Sequence, residues 1–301
     1  MKRFLSFILI AMLLIGMLVS CGKNNASNDN TEESSIDSSE TNNSTDKGNA
    51  ETNKNGETAK PDGTTENAVE YIYFGEYSQT LKADGVSVEA TADSRGYYLG
   101  SDNCYYARVV AKPYEAGYRF SDGTTVAKAD NTYYFKVEPL KWRVVSASES
   151  EAFLVCESVI DAKRFDDSSN DYFESEIRAY LNDIFASAAF NESELARVVE
   201  VSLDGDGALK DKVLLLSKTQ ALALDADAKR MKSASDYAIA NGAWISTSDG
   251  YYRNAIWLLR SPAEGSDSFV CYCDQYGEVN NGGTLLSSNF FGVSPSIKIK
   301  L

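Results

Sequence analysis

The sequence predicts an α+β domain of small antiparallel sheets and two main helices, carried behind an export leader and a solvated tether. Three observations predict it. Short segments that alternate apolar and polar residues, rich in Tyr, Val and Ile, recur from Val69 to Leu301, the pattern of half-buried strands. Ile177, Leu181, Ile184, Phe185 and Ala188 recur at the spacing of one helical face. Residues 22–68 contain no aromatic residue and only Ile36 as a large aliphatic, too little apolar surface to offset the entropy of ordering.

The elements follow in order. Val69–Tyr77 alternates through Tyr71, Tyr73 and Tyr77 and reads as a first strand. Residues 82–130 are rich in Gly, Asp, Ala and Tyr and read as a hairpin-rich N-terminal part, within 69–132. Tyr133–Ser146 is a strand pair broken at Pro139 or one bent strand, because proline cannot donate to a ladder. Ala152–Ile160 is a further strand and Ile177–Ala188 the first helix. Asn191 and Glu194 have capping-box spacing and open a second helix through Val199. Val213–Leu216 is a buried strand. Ser233–Asp236 caps a short helix through Ala240, closed by Asn241-Gly242. Ile256–Leu259, Ser268–Cys273 and Glu278–Asn280 are strands, the last two around a Tyr276-Gly277 turn. The chain closes on Ser296–Leu301, with an Ile297, Ile299 and Leu301 face. A strand there pairs inside the sheet, by expectation beside the N-terminal strand.

The leader carries Lys2-Arg3, an apolar run from Phe4 to Val19, and small residues at its end, the layout of a secretory signal. Sixteen residues fall short of the roughly 20 that span a bilayer as a helix. Leu18-Val19-Ser20-Cys21 resembles the lipobox of bacterial lipoproteins. The resemblance implies cleavage after residue 20 and a diacylglycerol on the Cys21 thiol, so the chain is expected to be membrane-held through its N-terminal lipid. The organisation is then leader 1–20, lipidated cysteine and tether 21–68, and one domain over 69–301. The 47 residues 22–68 reach roughly 40 Å as a flexible coil.

Charge and composition narrow the function. The chain's −15, less the tether's −6 and the leader's +2, leaves −11 on residues 69–301. Such a surface repels nucleic acid and anionic lipid. Glycans, proteins and cations remain compatible. Histidine is absent from the sequence. That removes Ser-His-Asp and Cys-His nucleophile systems and His-ligated zinc. Carboxylate, Lys or Cys chemistry is what remains for an enzyme.

An ordered set of motifs runs through the domain: Tyr73–Tyr77, Phe135–Val145, Ile160–Phe165, Ile177–Asn182, Ala189-Phe190, Val213–Ser217, Ser235–Ala238, Trp257–Pro262 and Gly292–Pro295. The set resembles a family of uncharacterised bacterial surface domains of unknown function. These often sit on lipoproteins or wall proteins of anaerobic low-GC Gram-positive bacteria, which implies an extracytoplasmic place at the cell surface. Trp142, Trp257, Arg260, Pro262, Gly292 and Pro295 are its structural signature. The family's closing motif usually reads Gly-Val-Arg-Pro, whereas Ser294 stands here in the Arg position. More distantly the closing motifs resemble the sulfatase-modifying-factor and C-type-lectin-like folds, which implies paired N- and C-terminal strands.

Candidate sites follow. Cys104, Cys156, Cys271 and Cys273 allow three complete disulfide pairings, or stay as buried thiols. Cys271 and Cys273 share one strand face. The resemblance to the modifying factors offers a copper-thiolate enzyme at that pair, as the alternative to a non-catalytic module. Asp204 and Asp206 are calcium candidates without a full EF-hand pattern, and Asp249 and Asp274 join only if the fold gathers them; no other cofactor is expected. Arg260 is expected to be an ion-paired organiser of the loop after it. Tyr272, Gln275, Tyr276, Asn280, Asn281 and Asn289 lie in the polar stretch 263–291, where ring faces and amides suit a glycan or protein ligand. The leading expectation is a recognition module without catalytic residues; a purely structural envelope role is the third.

Overall fold

The computed structural model describes residues 71–125, 130–203, 210–224 and 226–301. In chain order the strands are β1 (Tyr71–Leu81), β2 (Tyr97–Leu99), β3 (Tyr105–Val110), β4 (Thr132–Ala147), β5 (Glu151–Cys156), β6 (Asp161–Ala162), β7 (Val198–Val199), β8 (Val201–Ser202), β9 (Lys210–Asp211), β10 (Val213–Leu214), β11 (Trp257–Pro262), β12 (Phe269–Cys273), β13 (Val279–Leu285), β14 (Gly292–Val293) and β15 (Ser296–Lys300). The helices are α1 (Glu176–Ala179), continued by a π-helical stretch (Tyr180–Phe185) into α2 (Ala186–Ala189), then α3 (Glu192–Arg197), α4 (Lys218–Leu222), α5 (Asp227–Arg230) and α6 (Asp236–Ala240). The fold is mixed α/β, mostly antiparallel sheet with few helices.

One eight-stranded sheet runs β10-β15-β5-β4-β3-β2, with β1 also on β4 and β7 also on β15. A second sheet runs β13-β12-β11-β14-β6. β4 is one bent 16-residue strand. It holds β1 along one edge, while its other edge pairs β3 up to Lys136 and β5 from Trp142. Pro139 lies between those two partners, where the second ladder is interrupted and a missing N–H costs least. The expected pairing of the terminal strands does not occur. β15 takes β5, β10 and β7 as neighbours, and β4 and β5 stand between it and β1. The β4–β5 hairpin leaves the far edge of β5 open, and β15 fills it with Ile297 and Ile299 fully buried. Leu301 does not join that face and is exposed.

The second main helix also falls short of expectation. The run from Glu176 to Ala189 is the one long helical element among the described residues; α3 is six residues long. It has the expected capping box: the Asn191 side chain accepts from the Glu194 N–H and the Glu194 carboxylate from the Asn191 N–H. Val198 follows in extended conformation and enters a sheet.

Hydrophobic residues collect in two clusters, and single strands feed both. Leu154 and Leu258 point into one; Val155, Trp257 and Leu259 point into the other. Both faces of β5 and β11 are therefore covered, which explains their unbroken apolar runs. Trp142 and Trp257 are completely buried. Trp142 Nε1 donates to the Phe74 carbonyl at 2.7 Å and Trp257 Nε1 to the Arg230 carbonyl at 3.0 Å.

Candidate functional site

Among the described residues a groove of about 920 Å³ opens beside the helical rod. One wall is the helical rod, through Glu176, Ala179, Asp183 and Ile184. The other is built from Lys112, Tyr114, Asn241, Gly242, Asn289 and Phe290. The floor is Ala162, Lys163, Ile177 and Tyr180.

Each wall is fixed by backbone bonds. Lys112 N–H donates to the Ala240 carbonyl at the end of α6. Gly242, at φ +106°, lets the chain turn there, and a Cβ would sit 3.0 Å from the Lys112 carbonyl. The Phe290 carbonyl accepts from Trp244 N–H, and Lys163 N–H donates to the Phe291 carbonyl. β14 pairs β6 with Val293 opposite Asp161 and Gly292 opposite Ala162. The π-helical stretch adds a residue per turn relative to an α-helix, a distortion often found at functional sites. Within it Tyr180 is buried and Ile184 is 60% exposed in the groove.

Beneath the floor lies a buried polar chain. Tyr180 Oη donates to Asp161 Oδ2 at 2.7 Å, and Lys163 Nζ pairs with the same oxygen at 2.8 Å. Ala162 N–H holds Asp161 Oδ1 at 2.8 Å. Tyr180 has one proton and gives it to Asp161, so the 3.1 Å contact with Tyr77 is donated by Tyr77. Tyr237 continues the chain to Tyr77 and Asn241. Burial, then the Asp161 charge, pushes Tyr77, Tyr180 and Tyr237 well above the ordinary tyrosine range. They are neutral donors at physiological pH. Arg164 at the rim pairs with Glu176, at 2.7 and 2.8 Å, and with Asp167.

Of the residues expected to bind ligand, the groove contains Asn289 alone. Tyr272 is half-buried, edge-on to Phe291 at 5.2 Å and opposite Asn280 in the β12–β13 ladder. Asn280 Oδ1 accepts from Gly283 N–H. Tyr276 is exposed at the hairpin turn, edge-on to Tyr251 at 4.8 Å, and the Gln275 carbonyl accepts from Asn254. Asn281 is exposed on β13. Tyr272 and Asn280 therefore meet on the β12–β13 hairpin and Gln275 and Tyr276 sit at its turn, while Asn289 lies apart from them in the groove. Sequence reasoning missed Lys112, Tyr114, Lys163, Tyr180, Asp183, Ile184, Asn241 and Phe290. A signal was present for three: Ile160–Phe165 and Ile177–Asn182 are motif segments, and Asn241 reads as a helix stop.

Among the described residues, Cys104, Cys156, Cys271 and Cys273 are buried thiols. Cys271 and Cys273 share one face, as their spacing requires, but meet different neighbours. Cys271 Sγ donates to the Pro262 carbonyl at 3.4 Å, whereas Cys273 lies near Arg230 and Lys232. Burial pushes Cys273 up to about 12 and Cys156 up to about 11. Cations around Cys273 do not complete a metal-ligand set, and among the described residues no group of three acidic or cysteine side chains converges.

Asp204 and Asp206 lie outside the described residues, as do Cys21 and the segments 1–20 and 22–68 expected to be a leader and a tether. Asp274 is used by its own turn, accepting from Tyr276 and Glu278 N–H. Arg260 is buried and donates to the Leu215 carbonyl and Gln220 Oε1, anchoring β11 to the segment before α4. Ser294, in the motif's Arg position, donates its hydroxyl to the Cys156 carbonyl at 3.1 Å; the buried Lys232 ammonium donates to the same oxygen. Pro295 supplies the carbonyl for Cys156 N–H, and Gly292 the close approach to Val159.

Fold and groove together define an extended antiparallel-sheet domain with a preformed cleft whose floor is polar but locked. Residues 149–301, half of the chain, match the model of a domain of unknown function (DUF6273), and the chain belongs to that family. The match covers the floor, the helical wall and Asn241 to Phe290; Lys112 and Tyr114 precede it. No curated protein and no solved structure matches the chain.

Proposed function

We propose that this chain is a lipid-anchored extracytoplasmic recognition module that holds a glycan or protein ligand in the groove between the helical rod and the Tyr114–Phe290 wall. The groove carries the reading. It has the size of a ligand site, exposes Ile184 and Tyr114 inside a concavity, and rests on a rigid floor. Its buried tyrosines are neutral donors already committed to one another and to Asp161. Such a floor positions groups without exchanging protons, which favours binding over catalysis. The copper-thiolate alternative loses support because Cys271 and Cys273 address different neighbours in the core, away from the groove lining. A C-type-lectin-like likeness adds little, since the paired terminal strands it calls for are absent, and fold would not fix function in any case. The anchor rests on the Leu18–Cys21 motif and its resemblance to the lipobox.

The test uses the full chain on glycan and surface-protein arrays, with and without Ca²⁺. Ile184→Arg is expected to abolish saturable binding and Tyr73→Arg, an exposed residue outside the groove lining, to leave it unchanged. Equal loss in both, or in neither, would sink the groove as the binding face. In the same preparation Cys21→Ser is expected to move the chain from the detergent phase to the aqueous phase; retention in detergent would remove the lipid anchor.

A further inference from the structure

We infer that the ligand of this groove is a neutral, hydroxyl-rich saccharide, an inference that rests on the recognition reading above and narrows it. The charges of the groove are close to balanced. Lys163 is paired with Asp161, and Arg164 with Glu176 and Asp167. What remains uncommitted is mixed. Among the described residues, no hydrogen bond or ion pair holds the side chains of Lys112, Asp183 or Asn289. Lysine supplies only donors, a carboxylate only acceptors, and asparagine both. An anionic ligand meets Asp183 and Glu176 on the helical wall. A cationic one meets Lys112 and Lys163 on the other side and floor. A sugar hydroxyl donates and accepts at once, so it satisfies both kinds of group without carrying charge.

The apolar part fits the same ligand. Tyr114 is 48% exposed, and its ring lies 5.0 Å from that of Phe290 at 59°. Phe290 is in turn stacked on Phe291 at 4.8 Å, so the wall is preorganised. Ile184 faces the groove from the helix. Two apolar surfaces flanked by polar rims match the C–H faces and hydroxyl edges of a pyranose ring. A peptide would need its backbone amides paired, and no strand borders the groove except the two-residue β6, which is already bound to β14.

The experiment is calorimetric titration of the detergent-solubilised full chain with three probes: tetramers of β-1,4-linked glucose and N-acetylglucosamine, and an oligogalacturonate of equal length. A neutral tetramer is expected to bind and the oligogalacturonate to bind at least about tenfold more weakly. Tyr114→Ala is expected to weaken the neutral probe about tenfold, the worth of one stacked ring, and Asp183→Asn to weaken it while improving the acidic one. Unchanged circular dichroism and melting establish that the variants fold. Lys112→Met, an exposed change, repeats the test if Tyr114→Ala does not. Preference for the acidic probe would overturn the inference and leave the recognition reading standing. Binding of a surface protein that is lost on Ile184→Arg, with no sugar bound, would do the same. No groove-dependent binding of any probe or array ligand would overturn both.

Discussion

Removing one oxygen atom at Tyr180 tests the energetics of the groove floor directly. Tyr180→Phe keeps the ring, which is buried and sits under the Lys163 ammonium at 4.8 Å. It deletes the 2.7 Å bond to Asp161 and leaves Tyr77 without its acceptor. A hydrogen bond to a charged group contributes about 1.5–3 kcal/mol and a neutral one about 0.5–1.5 kcal/mol. Asp161 keeps two donors, Ala162 N–H and Lys163 Nζ, so its loss lies in the lower half of that range. The sum is about 2–3 kcal/mol. With a urea dependence of about 2–3 kcal/mol/M, the unfolding midpoint falls by roughly 1 M. Tyr77→Phe, which removes bonds between neutral groups, is expected to cost about half as much. A cycle with Asp161→Asn should show a Tyr180–Asp161 coupling of about 1.5 kcal/mol or more. A midpoint within about 0.2 M of wild type, or no coupling, would refute the claim that this buried chain holds the floor together.

Three further outcomes follow from the same geometry. Gly292→Ala places a Cβ 2.5 Å from Val159 Cγ1 and 2.9 Å from the Ile256 carbonyl, so overpacking is expected to cost about 1–3 kcal/mol in thermal or urea unfolding; wild-type stability would mean the β6–β14–β11 contact is looser than described. Burial works against the Asp166 carboxylate, but N–H donors from Ser168, Ser169 and Glu176 outweigh it and hold its pKa below the ordinary value. Its stabilisation is therefore complete above the unfolded value near ~3.9 and is lost as pH falls through the lower folded value; Asp166→Asn should flatten that acid limb, and an unchanged profile would count against the assignment. Cys156 and Cys273, pushed up to about 11 and about 12, stay thiols at neutral pH and should resist iodoacetamide until the chain unfolds; labelling of the native protein would contradict their burial.

Much of this fold could be read locally. The Asn191 box, the Ser235 cap and the Asn241-Gly242 stop depend on side chains and backbone a few residues apart, and all three are present. Alternation found β1, β4 and β15 for the same reason: period two is a property of the segment. Pairing is not. Whether Ile297 and Ile299 lie beside β1 or β5 leaves the alternation unchanged, and the choice falls to β5 because the β4–β5 hairpin presents a free edge. The π-helical stretch was equally invisible, since Ile184 fits the apolar face of a regular helix yet emerges exposed.

By itself the sequence determined the acidic composition, the absence of histidine and the places where the caps and several of the strands form. Each depends on composition or on neighbours in the chain. Only the tertiary structure decided which residues meet. Tyr77 reaches Tyr180 across 103 positions. Lys112 is pinned to Ala240, and the Asp161 strand lies against Val293. Of the expected ligand residues of 263–291, Tyr272 and Asn280 meet across the β12–β13 hairpin and Gln275 and Tyr276 lie at its turn, whereas Asn289 lies beyond the hairpin and lines the groove. The groove instead formed where five separate segments converge, and no local pattern records that convergence.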